Sequence, residues 1–127
     1  LAEVPVAALV TKDDVIGFRE FKGAFAENYV LQSLSTQSTV NLRYWTSNNS
    51  AEVDFLLQYD THILPIEVKS GKSTSSRSLT LYNAEKHPIL RIRYSDKELK
   101  LDDNLLNIPL YMADWTFALL DRVIASL

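Results

Sequence analysis

Two apolar-rich runs separated by only two residues constrain this chain more than any other feature. Ala51–Tyr59 (AEVDFLLQY) and His62–Ser70 (HILPIEVKS) alternate with period two on either side of Asp60-Thr61. So short a gap leaves no room for a crossover, so the two runs are expected to return on each other as an antiparallel hairpin. A tight turn at Asp60-Thr61 then places Asp54 opposite Glu67.

The rest of the chain arranges itself around that hairpin. Residues 1–17 read as a lead-in, apolar over Val4–Val10 and polar at Lys12, Asp13 and Asp14. The spacing predicts a helix over Phe18–Leu34. Phe18, Phe21, Phe25 and Tyr29 form one stripe, with Ala24, Val30, Leu31 and Leu34 on the other side. A helix apolar on two sides is expected to be sandwiched in a core or covered by a partner. Asn41–Thr46 alternates weakly as a strand, with Leu42 and Tyr44 on one face, and Ser47-Asn48-Asn49-Ser50 is turn chemistry. After the hairpin, Gly71–Ser75 reads as a loop. Ser76 is placed to cap a helix running to about Lys86, stopped by His87-Pro88. Ile89–Tyr94 reads as a further strand and Glu98–Leu101 as one more. Pro109 precedes a last helix, Asp114–Leu127, with Trp115, Leu119, Leu120, Val123 and Leu127 on one face. The order is helix, three strands, helix, strand, with C-terminal additions: a single α/β domain over 1–127.

Composition removes several classes of function. The 127 residues suffice for one domain with a core, burying about two-thirds of the unfolded surface. Without cysteine there is no disulfide framework and no thiolate zinc site, which fits a reducing compartment and a cytoplasmic location. Two histidines are too few for a three-His zinc site. No apolar run approaches the ~20 residues that span a bilayer, and no signal peptide opens the chain. A chain that starts at Leu1 is expected to be a piece of a longer protein. Net charge is −3, but it is unevenly spread. Residues 61–100 carry 8 basic and 4 acidic side chains, against 4 and 8 over residues 1–60. That basic segment is either a phosphate-facing patch or a solvated charged face.

Four residues carry the candidate chemistry. Glu67 and Lys69 are two apart in a strand, so both leave one face, about 6–7 Å apart. Asp54 lies between Val53 and Phe55 in the partner strand. A carboxylate pair across two strands with a lysine beside it suits a hard divalent cation. It suits a cross-strand ionic cluster equally well. Glu27 projects with the apolar side of its helix, where a lone charge needs a partner or a metal.

The ordered pattern of helix Glu, strand Asp, strand Glu-x-Lys, Ser/Gly loop and helix resembles the PD-(D/E)XK nuclease superfamily, whose core is restriction-endonuclease-like. More closely, it resembles the C-terminal domain, itself of unknown function, that follows an AAA-type ATPase module in bacterial and archaeal ATPases. The resemblance rests on Lys22-Gly23, Glu27-Asn28-Tyr29-Val30, Tyr44-Trp45, Glu52-Val53-Asp54-Phe55 and the run Pro65-Ile66-Glu67-Val68-Lys69-Ser70-Gly71. It continues through Ser78-Leu79, Tyr82 and Ile108-Pro109-Leu110-Tyr111. It implies Asp54, Glu67 and the Val68 carbonyl as ligands of Mg²⁺ or Mn²⁺, Lys69 as the catalytic lysine and Glu27 as an auxiliary carboxylate. The implied activity is metal-dependent hydrolysis of nucleic-acid phosphodiesters, DNA foremost, with the ATP site in a preceding ATPase domain that is also a partner. The alternative is an inactive nuclease-fold module that binds protein or DNA and regulates the ATPase. Val53 stands where the superfamily has its namesake proline.

Other features weigh less. Gly71-Lys72-Ser73 resembles the end of a P-loop, but Ile66 occupies the position that must be glycine. His62 and His87 are expected at the surface, and the Phe18/Phe21/Phe25 stripe in a core. Trp45 and Tyr82 are expected to pack rather than contact a base. Lys72 and Arg77 either clamp a nucleic-acid backbone or belong to a solvated loop.

Overall fold

A computed structural model describes residues 12–37, 42–46, 52–71 and 76–127, with side chains over 23–37, 53–71 and 76–127. The elements are α1 (Lys12–Gln37), β1 (Leu42–Thr46), β2 (Glu52–Tyr59), β3 (His62–Val68) and α2 (Arg77–Lys86). They continue with β4 (Arg91–Ser95), β5 (Lys100–Asp102), β6 (Leu105–Pro109), a 3-10 helix (Leu110–Trp115) and α3 (Thr116–Ala125).

The hairpin forms as its turn dictates. β2 and β3 are antiparallel, from Tyr59 opposite His62 to Phe55 opposite Ile66. Asp60 takes a φ of 53°, a left-handed conformation that aspartate tolerates. β4 then joins β3 in parallel, and parallel neighbours need a long connection, which α2 supplies. Pro65 has no N–H to give, and the β3–β4 ladder begins only at Ile66. The open mixed sheet has six strands in the order β1-β2-β3-β4-β6-β5.

The sheet is covered on both faces. Val30 and Leu34 of α1, Ala113 and Leu120 pack with Leu57, Leu64, Ile66, Ile92 and Ile108 in the main core. Leu79 and Tyr82 of α2 close a smaller core with Val53, Leu56 and Leu105. Three polar contacts clamp the C-terminal end of α1 to the 3-10 helix and α3. Ser33 Oγ donates to Asp114, Gln37 Nε2 donates to the Ala113 carbonyl at 2.8 Å, and Gln37 Oε1 accepts from the Phe117 amide at 3.1 Å.

Several expectations need correction. The first helix is longer than Phe18–Leu34 and is not buried on two sides: Phe25 is 63% exposed and Ala24 and Tyr29 are also exposed. One layer of sheet contacts one helix face, and Val30 and Leu34 already fill that contact. Ser76 occupies the cap position of α2, but its hydroxyl accepts from Arg93 instead of from the helix amides. The last helix starts at Thr116, because the preceding turn winds as a 3-10 helix; Trp115 and Leu127 are exposed while Leu120 is fully buried. The strand expected at Glu98–Leu101 is β5, Lys100–Asp102, and β6 has no counterpart among the expected strands. The turn at 47–50, most of the loop at 71–75 and the lead-in before Lys12 lie outside the described residues, as do the side chains of Phe18, Phe21, Leu42, Tyr44 and Trp45.

Candidate functional site

The site forms where β2 and β3 part. Between Arg43 and Trp45 of β1 the register with β2 shifts, so β2 carries an extra residue between Val53 and Leu56. A bulge breaks the alternation of side chains and re-aims one of them. Its effect is visible in the packing: Val53 and Leu56 both enter the α2 core, while Phe55 enters the main core. Asp54 sits in the bulge, one residue beyond the last paired position, Phe55 opposite Ile66. Its Oδ2 accepts the Val68 amide at 2.7 Å, in place of a cross-strand carbonyl. β3 itself runs on beside β4, with the Lys69 amide donating to the Tyr94 carbonyl at 2.8 Å.

Glu67 and Lys69 share a face, as their spacing predicts. Lys69 Nζ lies 3.0 Å from Glu67 Oε1, with the glutamate side chain 8% exposed and the lysine 29% exposed. The cluster therefore opens to solvent at its lysine end. Glu67 Oε2 is buried and accepts no hydrogen bond from the described residues. Burial pushes the Glu67 carboxyl above the usual carboxylate range, and Asp54 adds to that; Lys69 and Arg93 pull against it. Arg93 faces Glu67 across the parallel β3–β4 register.

Glu27 completes the group from α1. Gly23, one turn earlier, brings the helix close to the end of β3: a Cβ there would sit 3.6 Å from Ser70 Oγ. The Glu27 carboxyl is raised by burial first, then by the charge of Asp54 and a hydrogen bond with it. Its partner among the described residues is thus another carboxyl group, and two carboxyls in hydrogen-bond contact favour holding a proton between them.

The structure therefore brings Glu27, Asp54, Glu67 and Lys69 together at the mouth of the β2–β3 split. Val68 contributes its amide to Asp54. Arg77 is exposed at the start of α2, and Lys72 lies outside the described residues. His62 is partly exposed and His87 exposed, and Tyr82 packs in the smaller core. A Mg²⁺ or Mn²⁺ ion asks for several oxygens directed at one point. Here Asp54 is committed to a backbone amide and to Glu27, and Glu67 to Lys69. Among the described residues no three Asp, Glu or His side chains form a group placed to hold a metal ion.

Sequence reasoning missed the brace behind Glu67. Arg93 Nε donates to Asn107 Oδ1 at 3.0 Å and its Nη1 to Ser76 Oγ at 3.0 Å. Asn107 is 3% exposed and also accepts from Ser95 Oγ at 2.6 Å. The alternation in Ile89–Tyr94 marked Arg93 as half of a polar face, but nothing local to it named Glu67 or Asn107 as neighbours.

Residues 22–112 match the family described as "Domain of unknown function (DUF4143)". The match covers more than half of the chain, so the chain belongs to that family. Searches of curated proteins and of solved structures returned no match. No helix among the described residues is long and apolar enough to cross a membrane.

Proposed function

We propose that this member of the DUF4143 family is a nuclease-fold module that binds without cleaving and regulates an attached ATPase. The helix, three-strand, helix, strand order and the parallel β3–β4 step agree with the restriction-endonuclease-like core that its sequence resembles. The observation that carries the non-cleaving reading is the internal commitment of the carboxylates. Asp54 holds the Val68 amide, Glu67 holds Lys69, and Glu27 shares a hydrogen bond with Asp54. A hydrolytic centre of this class needs those oxygens on a metal and the lysine turned toward a phosphate. Here the same groups, Glu67 Oε2 excepted, pair with one another or with a backbone amide where the two strands part.

A thermal melt tests this. A ligand that binds only the folded state raises its melting temperature, so millimolar Mg²⁺ or Mn²⁺ is expected to leave the transition in place. Asp54→Asn is the control. A rise in melting temperature with metal that vanishes in Asp54→Asn would support the second reading, metal-dependent cleavage of nucleic acid. One observation favours that second reading: the buried, unpartnered Oε2 of Glu67 is an acceptor still open to a cation.

A further inference from the structure

A groove of about 680 Å³ lies on the sheet beyond Arg93, under the segment that links β4 to β5. Its volume is in the range of small-molecule sites. Arg93 stands between it and the carboxylate cluster, and none of Glu27, Asp54, Glu67 and Lys69 lines it.

The floor of the groove is rigid. Asn107 Nδ2 donates to the carbonyls of Lys97 and Glu98 at 3.1 and 2.9 Å, and Ser95 Oγ accepts the Lys97 amide at 3.1 Å. Those bonds tie the covering segment to β4 and β6, so the cavity is built before any ligand arrives. Arg93 is held at its inner end by Asn107 and Ser76. Lys97 and Lys100 line the wall, both exposed, and neither forms an ion pair among the described residues. Leu99, 43% exposed, and Leu105 supply apolar surface, and the Glu98 and Asp102 carboxylates supply acceptors.

These chemistries constrain the ligand. Cationic and acidic side chains are equal in number around the groove (Arg93, Lys97, Lys100 against Asp96, Glu98, Asp102), so a dense polyanion gains little there. A compact ligand fits better: one anionic end for the lysines, a flat apolar body for Leu99 and Leu105, and amino donors for the carboxylates. A nucleotide with an amino-bearing base has all three. Carboxylates accept from the cytosine amino group, where uracil presents a carbonyl oxygen that repels them. We infer that this groove binds a single nucleotide unit, its phosphate on Lys97 and Lys100 and an amino-bearing base between Leu99 and Leu105.

The unit can be a free nucleotide or one residue of a strand, and titration of the ¹⁵N-labelled chain separates the two. Cytidine monophosphate is expected to shift the amides of Leu99 and Asn107. Uridine monophosphate and unphosphorylated cytidine should each bind about tenfold more weakly. Tighter binding of hexacytidylate with the same shifts assigns the groove to a strand, and equal binding assigns it to the free nucleotide. Lys97→Ala with Lys100→Ala should weaken cytidine monophosphate about tenfold without moving the thermal melt, since both side chains are exposed. No shift in the groove at millimolar cytidine monophosphate would overturn the inference, as would unchanged affinity in the lysine variant. Equal affinity for uridine monophosphate would overturn the base preference. The titration contains no divalent metal, so its outcome is read separately from the metal melt.

Discussion

Asp54 shows how one side chain can serve architecture and suggest chemistry at once. Its carboxylate replaces a missing rung between β2 and β3, so Asp54→Ala strands the Val68 amide in a largely buried position. That is expected to cost about 1–3 kcal/mol in denaturant unfolding. Asp54→Asn keeps an acceptor oxygen and relieves the contact with Glu27, so it should stay within about 1 kcal/mol of wild type. Glu27 makes a pH-dependent prediction. Its carboxyl is raised in the folded state, so the folded protein holds the proton more tightly than the unfolded chain. The penalty for ionising it is full at neutral pH and is relieved as pH falls through the folded value toward the ordinary one of 4.5. Glu27→Gln should therefore raise the melting temperature at pH 7 and flatten its rise on mild acidification. The hairpin register was legible in the sequence as far as Phe55 and Ile66, because the Asp60-Thr61 turn sets it. The Glu27–Asp54 contact was not, since helical spacing shows the face of a residue and never its partner. Arg93 was hidden for a related reason: a parallel register depends on how a crossover lands.

At the scale of elements, burial sorts the two sides of α1. Leu34 is fully buried and Phe25 is 63% exposed. Leu34→Ala should cost about 2–5 kcal/mol, while Phe25→Ser should change stability by no more than about 0.5 kcal/mol. Equal losses would mean that both sides are covered in solution. The aromatic stripe pointed to a two-sided helix because periodicity counts apolar residues without knowing how many layers face them. The bulge in β2 was equally invisible: alternation through Val53, Asp54 and Phe55 looks regular, yet Val53 and Phe55 enter different cores. β6 escaped because LLNIP has no alternation to find. It pairs on both sides, with Leu106, Asn107 and Ile108 all buried, and strands of that kind read as apolar runs.

Over the whole molecule, helices cover both faces of a mixed sheet, and Asp54, Glu67 and Lys69 gather where β2 and β3 cease to pair. The α/β order and the hairpin at its centre were readable from turn chemistry and period. The state of the cluster was not, because whether carboxylates face a metal or one another depends on angles and on an amide of the neighbouring strand. In the proposed function they face one another, and the domain binds without cutting. The most direct test incubates plasmid, single-stranded DNA and single-stranded RNA with the domain in Mn²⁺, both alone and joined to the proposed ATPase, beside Lys69→Ala in each form. A non-cleaving module predicts no product that depends on Lys69 in any lane. Cleavage by the wild-type protein that disappears in Lys69→Ala would contradict it.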